Sequence, residues 1–397
     1  MNIGIYGGTF DPPHKGHITA AGAAMSALHL DRLLLIPDAV PPHKALPEGS
    51  PTAQQRCDMA VLATAELGRQ AEASDMELRR AGVSYTADTL AQLRRQYPDD
   101  QLYLLMGTDM FLSLQSWRQP ERIAALAHIA PFRREREDDP AVFAAQKERL
   151  ERDYGASVTV VPNPDVVDIS STEVRAALAQ GGGEDMLPPA VWGYIRREQL
   201  YGTHTDLKRL TPDELRPVAL SYLKPKRMPH VLGTEQEAVR LAEKYGADVT
   251  KARVAALLHD CTKKLDMAEQ LALCERYRIP LDELERKALK LLHSKTGAAI
   301  ARDVFAVDDE VYNAILYHTT GKQDMTLLEK IIYLADYIEP TRDFPGVEEL
   351  RRTVYEDLDR GLLLGLTMTI QEMEEMGNPV HHLTRDARDY LMKRGIS

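Results

Sequence analysis

Along the first two hundred residues, short unbroken apolar runs alternate with stretches of helical composition. Asn2–Gly8 (NIGIYGG), Arg32–Pro37 (RLLLIP), Gln101–Gly107 (QLYLLMG), His128–Phe132 (HIAPF) and 157–162 (SVTVVP) read as strands, and the segments 19–29 and 85–96 between them as helices. This alternation predicts an α/β domain on a Rossmann-like parallel sheet, whose ligands gather at the carboxyl ends of the strands. After residue 203 the strand-like runs stop. Segments 238–246, 251–260, 282–305, 308–318, 327–338 and the stretch after Val347 carry a helical pattern, which predicts an all-α domain of at least six helices. Tyr201-Gly202 follows a helical segment, and Thr211-Pro212 opens the next with an N-cap and a proline at the first helical position. The expected division is therefore 1–202, a linker at 203–212, and 213–397.

Composition supports two folded units. A chain of 397 residues is longer than one core usually serves, and 44% hydrophobic with 27% charged residues are globular values. Lysine usage also changes: before residue 203 only Lys15, Lys44 and Lys147 occur. The net charge of −11 excludes a broad basic surface for nucleic acid or anionic membranes, so a polyanionic ligand must meet a local basic site or a metal. Three cysteines without a CxxC pair indicate neither a disulfide framework nor a thiolate zinc site. With no signal-like segment and no apolar run of about 18 residues, a cytoplasmic protein with no membrane partner is expected.

The first chemical signal is Gly7-Gly8-Thr9-Phe10-Asp11-Pro12-Pro13-His14-Lys15-Gly16-His17, directly after a strand and before a helix. Glycines there admit backbone amides to phosphate, and the helix start adds its positive end. His14 and His17 can donate to phosphate oxygens from one face. The string resembles the HxGH nucleotidyltransferase superfamily and, within it, bacterial nicotinate-nucleotide adenylyltransferases. Their second signature appears as Ile169-Ser170-Ser171-Thr172-Glu173-Val174-Arg175. Pro41-Pro42-His43-Lys44 and Gly107-Thr108-Asp109-Met110-Phe111, continuing to Trp117, match too. The resemblance implies that the phosphate of nicotinate mononucleotide attacks the α-phosphorus of ATP, giving deamido-NAD and pyrophosphate. It makes His14, His17, Lys44, Arg175 and Mg²⁺ the groups that stabilise charge. Gly7, Gly8, Thr9, Phe10, Gly107, Asp109, Ser170, Ser171 and Thr172 fall in the nucleotide pocket, with Trp117 stacked on the pyridine near Tyr85 and Thr86. HxGH and ISSTxxR by themselves report the superfamily, which leaves another phosphate ester open as acceptor.

The second signal is dispersed. His230, His259-Asp260, His293, His318 and Asp336 each sit near the end or on a face of a separate helical segment. Imidazoles and carboxylates converging from several helices make a nitrogen and oxygen pocket for Fe, Mn or another divalent metal. A single histidine in such a place is more often structural; six such positions in this order are not. The order H…HD…H…H…D resembles the HD-domain phosphohydrolases, and the HTTG and ADYIEPTR strings resemble the bacterial symmetrical bis(5′-nucleosyl)-tetraphosphatases. Carried over, the resemblance makes His230, His259, Asp260 and Asp336 primary ligands, with His293 and His318 completing a second metal or holding phosphate. Lys263 and Arg342 neutralise phosphate, and diadenosine tetraphosphate is cleaved to two ADP by a metal-activated water. A guanosine alarmone or a deoxynucleotide as substrate, a nucleotide-sensing module without catalysis, and a homo-oligomer all stay open. Cys261 is read as packing, and His29, His43, His204, His381 and His382 are given no site role.

Overall fold

The computed structural model describes all residues except 42–44, 81, 134–138, 164 and 397. The chain forms two compact units, Met1–Thr205 and Asp206–Ser397. The first follows the order β1 (Asn2–Gly8), α1 (Lys15–Ala27), β2 (Arg32–Pro37), α2 (Ala53–Ala63), β3 (Ala71–Ala73), α3 (Thr86–Gln96), β4 (Gln101–Gly107), α4 (Thr108–Ser113), α5 (Pro120–Leu126), β5 (His128–Phe132), α6 (Pro140–Tyr154), α7 (Ser171–Ala179) and α8 (Pro189–Glu198).

Its sheet is parallel, in the order β3-β2-β1-β4-β5. Both faces are covered, which is why the strands read as unbroken apolar runs. Ile3, Ile5, Leu34, Leu102 and Leu104 pack towards α3 and α6, while Leu33, Leu35, Leu105 and Phe132 pack against Ala20, Ala21 and Ala24 of α1. The chain leaves β1 for β2 on one side and returns to β4 on the other, so a crevice opens beyond the carboxyl ends of β1 and β4.

Four of the five expected strands form. Segment 157–162 does not become a strand; it touches β5 only at isolated bridges, Ile129 to Val158 and Phe132 to Val161. The cause is Pro131. Thr159 donates its N–H to Ile129 O and Val161 donates to Pro131 O, but the proline has no N–H to return, and the ladder is interrupted.

The second unit is all-helical: α9 (Pro212–Leu220), α10 (Met228–Tyr245), α11 (Val249–Leu258), α12 (Met267–Arg276), α13 (Leu289–Phe305), α14 (Asp309–Tyr317), α15 (Leu327–Ile338), α16 (Val347–Glu356), α17 (Leu358–Glu375) and α18 (His382–Lys393). Alanines 252, 255 and 256 let α11 sit deep in the core beside Ile331, Ile332 and Leu334 of α15. The expected helix 282–305 starts later than its composition suggests. Asp282 and Glu285 accept each other's backbone N–H, and Lys295 binds Glu285, so 285–287 forms a separate tight turn before α13.

Candidate functional sites

In the first unit a cavity of about 390 Å³ lies at the carboxyl ends of β1 and β4. Among its lining residues are Gly7, Gly8, Thr9, Phe10, His17, Tyr85, Thr86, Gly107, Trp117, Ser170, Ser171 and Thr172, so signals scattered from residue 7 to residue 172 meet in one place. Four other expected residues stand differently, and one of them, Arg175, is not among the lining residues but bonds to the loop after β1. His14 is buried with its ring 3.7 Å from that of His17. Asp109 is exposed on the first turn of α4. Lys44, with Pro42 and His43, lies outside the described residues.

The backbone N–H of His14 donates to Nδ1 of His17 at 3.2 Å. In the neutral ring the proton therefore sits on Nε2, which makes His17 a donor to a phosphate oxygen. At the other signature Ser170 caps α7 reciprocally with Glu173, and Ser171 donates to Pro12 O at 3.1 Å. Arg175 donates to Asp11 O at 2.6 Å and to Thr172 Oγ1 at 3.1 Å, which ties the ISST turn to the loop after β1.

Two further groups were not legible as site residues. Arg56, fully buried, donates to Thr9 O (2.7 Å), Asp38 Oδ1 (2.9 Å) and Asp38 O (2.8 Å). It fastens the loop after β1 to the loop after β2. Arg118 lies over the Tyr85 ring at 4.4 Å beside Trp117 and adds a positive charge to that part of the cavity wall. Neither belongs to a motif: Arg118 directly follows the Trp117 that ends one, and Arg56 is connected to the site only in space.

In the second unit all six expected ligands converge. Asp260 follows α11 with its two oxygens turned to two different sets. Oδ2 faces His259 Nε2 (3.6 Å) and His230 Nε2 (4.0 Å); Oδ1 faces His293 Nε2 (3.2 Å) and His318 Nε2 (3.9 Å). Asp336 Oδ1 lies 3.0 Å from His230 Nε2 and 3.9 Å from His259 Nε2. Asp260 thus stands between two subsites, one of His230, His259 and Asp336 and one of His293 and His318.

The donor set fits a cation. Nδ1 of His259 and of His318 donates to a carbonyl one turn back, Ala256 O (2.6 Å) and Ile315 O (2.7 Å), so both Nε2 lone pairs point inward. His230 donates from Nδ1 to Glu339 at 3.0 Å, and its Nε2 then meets that of His259 at 3.4 Å. Acceptors facing acceptors need a proton or a metal between them. Burial pushes His293 and His318 down to about 4 and lowers His259 as well, keeping all three neutral, the form that binds metal. For His230 burial acts downward, but its hydrogen bonds to Asp336 and Glu339 outweigh this and raise it. Burial would raise both aspartates; the imidazoles around them, with Lys263 at Asp260 and Arg342 at Asp336, hold them well below the carboxylate range. All contributing groups are nitrogen or oxygen, which suits Fe or Mn. Cys261 is buried, donates to Gly297 O at 3.8 Å, and belongs to none of the candidate ligand groups.

Cations surround the carboxylates. Arg227 binds Asp260, Arg342 donates to Asp336 Oδ1 at 2.7 Å, and Lys263 Nζ lies 2.9 Å from His293 Nε2. Arg227 and Glu339 were not singled out from sequence. Glu339 is fully buried, also accepts from Thr341, and sits so close to α10 that a Cβ on Gly233 would lie 2.5 Å from its Oε2. A carboxylate on the far nitrogen of a ligating histidine typically contributes about 10- to 100-fold in metal affinity. Glu339→Gln is therefore expected to weaken Mn²⁺ binding in a calorimetric titration by at least tenfold with little change in helix content.

One other group of this type, Asp282, His381 and His382, occurs among the described residues. His381 Nδ1 accepts the Leu383 N–H at the start of α18, which places the proton on Nε2 facing Asp282 and Glu285 at 3.4 Å. That arrangement ties His381 to the start of α18 and turns its lone pair away from Asp282.

Comparison with known proteins agrees with this geometry. Residues 5–177 match the cytidylyltransferase-like family and residues 227–341 the HD domain, so the first unit is a nucleotidyltransferase-type domain and the second an HD domain. A "probable nicotinate-nucleotide adenylyltransferase" of Shewanella sp. (strain ANA-3) is 40% identical over 215 residues, 51% of this chain and 99% of the relative. One from Idiomarina loihiensis is 36% identical over 210 residues, 50% of this chain and 98% of the relative. Through its first half the chain belongs to the nicotinate-nucleotide adenylyltransferase family. The second half is similar to a predicted HD superfamily hydrolase involved in NAD metabolism from Clostridium acetobutylicum, 42% identical over 47% of this chain and 98% of that one, with a TM-score of 0.45. No helix among the described residues is long and apolar enough to cross a membrane.

Proposed function

We propose that the first unit transfers the adenylyl group of ATP to nicotinate mononucleotide. The observation that carries this is the meeting of the GTFD loop, His17 and the ISST turn around one cavity in a chain of this family. The mononucleotide's phosphate oxygen bonds to the α-phosphorus as the bond to the pyrophosphate oxygen breaks, without a covalent enzyme intermediate. The protein positions the two reactants and meets charge that develops on the α-phosphoryl oxygens and on pyrophosphate. His17 donates from Nε2, the amides of Gly7 to Phe10 and the start of α7 face phosphate, and Arg175 neutralises charge. Lys44 and His14 belong to the same proposal, as does Mg²⁺ arriving with ATP. Trp117 offers its indole face to the electron-poor pyridine, with Tyr85, Thr86 and Asp109 lending the rest of the nucleotide pocket.

The HD unit is proposed to be a metal-dependent phosphohydrolase that splits diadenosine tetraphosphate into two ADP. One or two Fe or Mn ions held by His230, His259, Asp260, His293, His318 and Asp336 would supply Lewis acidity toward phosphate and acidify a coordinated water. Lys263, Arg227 and Arg342 would bind phosphate oxygens, and Asp260 spans the two halves of the site. The cations favour a polyphosphate over a monoester, and a guanosine alarmone is the second reading that the same observation permits.

Incubating the full chain with Mg-ATP and, separately, nicotinate mononucleotide, nicotinamide mononucleotide and phosphopantetheine tests the first proposal; preference for either of the last two overturns it. Incubation with Mn²⁺ or Fe²⁺ and a panel of diadenosine tetraphosphate, guanosine alarmone and deoxynucleotides tests the second. Only symmetrical cleavage of the first as the preferred reaction upholds it.

A further inference from the structure

Beyond the motifs, a tyrosine at the end of the first unit contacts the phosphate-binding loop. After α8 the backbone turns through Gln199 (φ 53°), Tyr201 (φ 56°) and Gly202 (φ 75°), three left-handed residues in four, two of them with side chains. Left-handed non-glycine residues are costly and persist only where the surroundings hold them. The turn packs against α7 and brings the Tyr201 hydroxyl to Asp11 Oδ1, donating at 2.7 Å over a separation of 190 residues.

Asp11 is only 2% exposed and has several claims on it. Ser50 donates to Oδ2 at 3.3 Å, and Arg175, already bonded to the Asp11 carbonyl, has its guanidinium 3.6 Å from the same carboxylate. A buried carboxylate that loses a donor draws harder on the nearest cation. Here that cation is Arg175, whose proposed partner is the triphosphate.

We propose that Tyr201 is a positioning residue for nucleotide binding: its hydroxyl satisfies Asp11 so that Arg175 stays available to phosphate. The inference rests on the adenylyltransferase reading only in making the phosphate ligand ATP. Without the phenol the ion pair that Arg175 already makes with Asp11 at 3.6 Å tightens, and phosphate must compete harder for the guanidinium. Burial and the neighbouring Asp11 both raise the phenol, which therefore stays protonated and donates to the carboxylate.

The test is Tyr201→Phe in the full chain, read first as Mg-ATP binding by calorimetry with no acceptor present, then as steady-state kinetics. A lost hydrogen bond to a charged group predicts an ATP dissociation constant raised about tenfold, and KM for ATP with it, while KM for nicotinate mononucleotide changes by less than about twofold. Combining it with Asp11→Asn removes the competing charge and should return ATP affinity towards that of Asp11→Asn alone. Unchanged ATP binding in Tyr201→Phe overturns the proposal, as does a comparable rise in both KM values together with a lower melting temperature, which would mark a general structural role. A chain that binds ATP but does not adenylylate nicotinate mononucleotide sinks the acceptor assignment alone, because the binding measurement still decides Tyr201.

Discussion

Asp260→Asn is expected to abolish metal-dependent hydrolysis in the second unit while leaving adenylyl transfer at its full rate. The carboxylate is buried, and each of its oxygens faces a different pair of imidazoles. An amide of the same shape removes the charge and turns one of those oxygens into an N–H donor pointing at nitrogen lone pairs or at Arg227. Neither subsite keeps an anionic ligand in common, so metal content measured on the purified protein should fall together with activity. The drop should exceed the roughly 10- to 100-fold typical of partners behind the ligands. Retained hydrolysis with retained metal would show that Asp260 is not a ligand. A parallel loss of adenylyl transfer would show that the two compact units do not act independently.

The reciprocal experiment is His17→Ala. Its Nε2–H is aimed by the amide of His14, and no lysine or arginine among the described cavity residues takes the same place at the start of α1. Removing one fixed donor from a site that meets developing charge typically lowers kcat by roughly 10²–10³-fold. That loss should fall on kcat for deamido-NAD formation, with KM for nicotinate mononucleotide little changed and phosphohydrolysis untouched. A rate within tenfold of the parent would mean that His17 binds nucleotide without stabilising the transition state.

What could be read from the chain followed from local physics. Strands β1, β2, β4 and β5 announce themselves because burial on both faces demands uninterrupted apolar residues, and the six candidate ligands of the HD unit because each stands near a helix end or face. β3 escaped, being three residues, Ala-Glu-Ala, with none fully buried. Segment 157–162 misled because its own composition suits a strand while the fault lies in Pro131 of its neighbour. The supporting residues were hidden for a different reason. Arg56 with Asp38, and Tyr201 with Asp11, act by hydrogen bonds across 18 and 190 positions, and no periodicity records such pairs. Glu339 lay inside a recognised string, but its task, holding the far nitrogen of His230, appears only when α10 and the end of α15 are brought together.

Gly233 shows what that closeness imposes. A glycine inside a helix such as α10 costs about 0.5–1 kcal/mol relative to alanine, and alanine would ordinarily be the better residue there. Here its methyl group would occupy the space of the Glu339 carboxylate. Substitution would thus strengthen the helix while loosening the histidine it carries. Attempts to raise thermal tolerance by replacing helical glycines should bypass this one, because at position 233 robustness and the geometry of the proposed metal site pull in opposite directions.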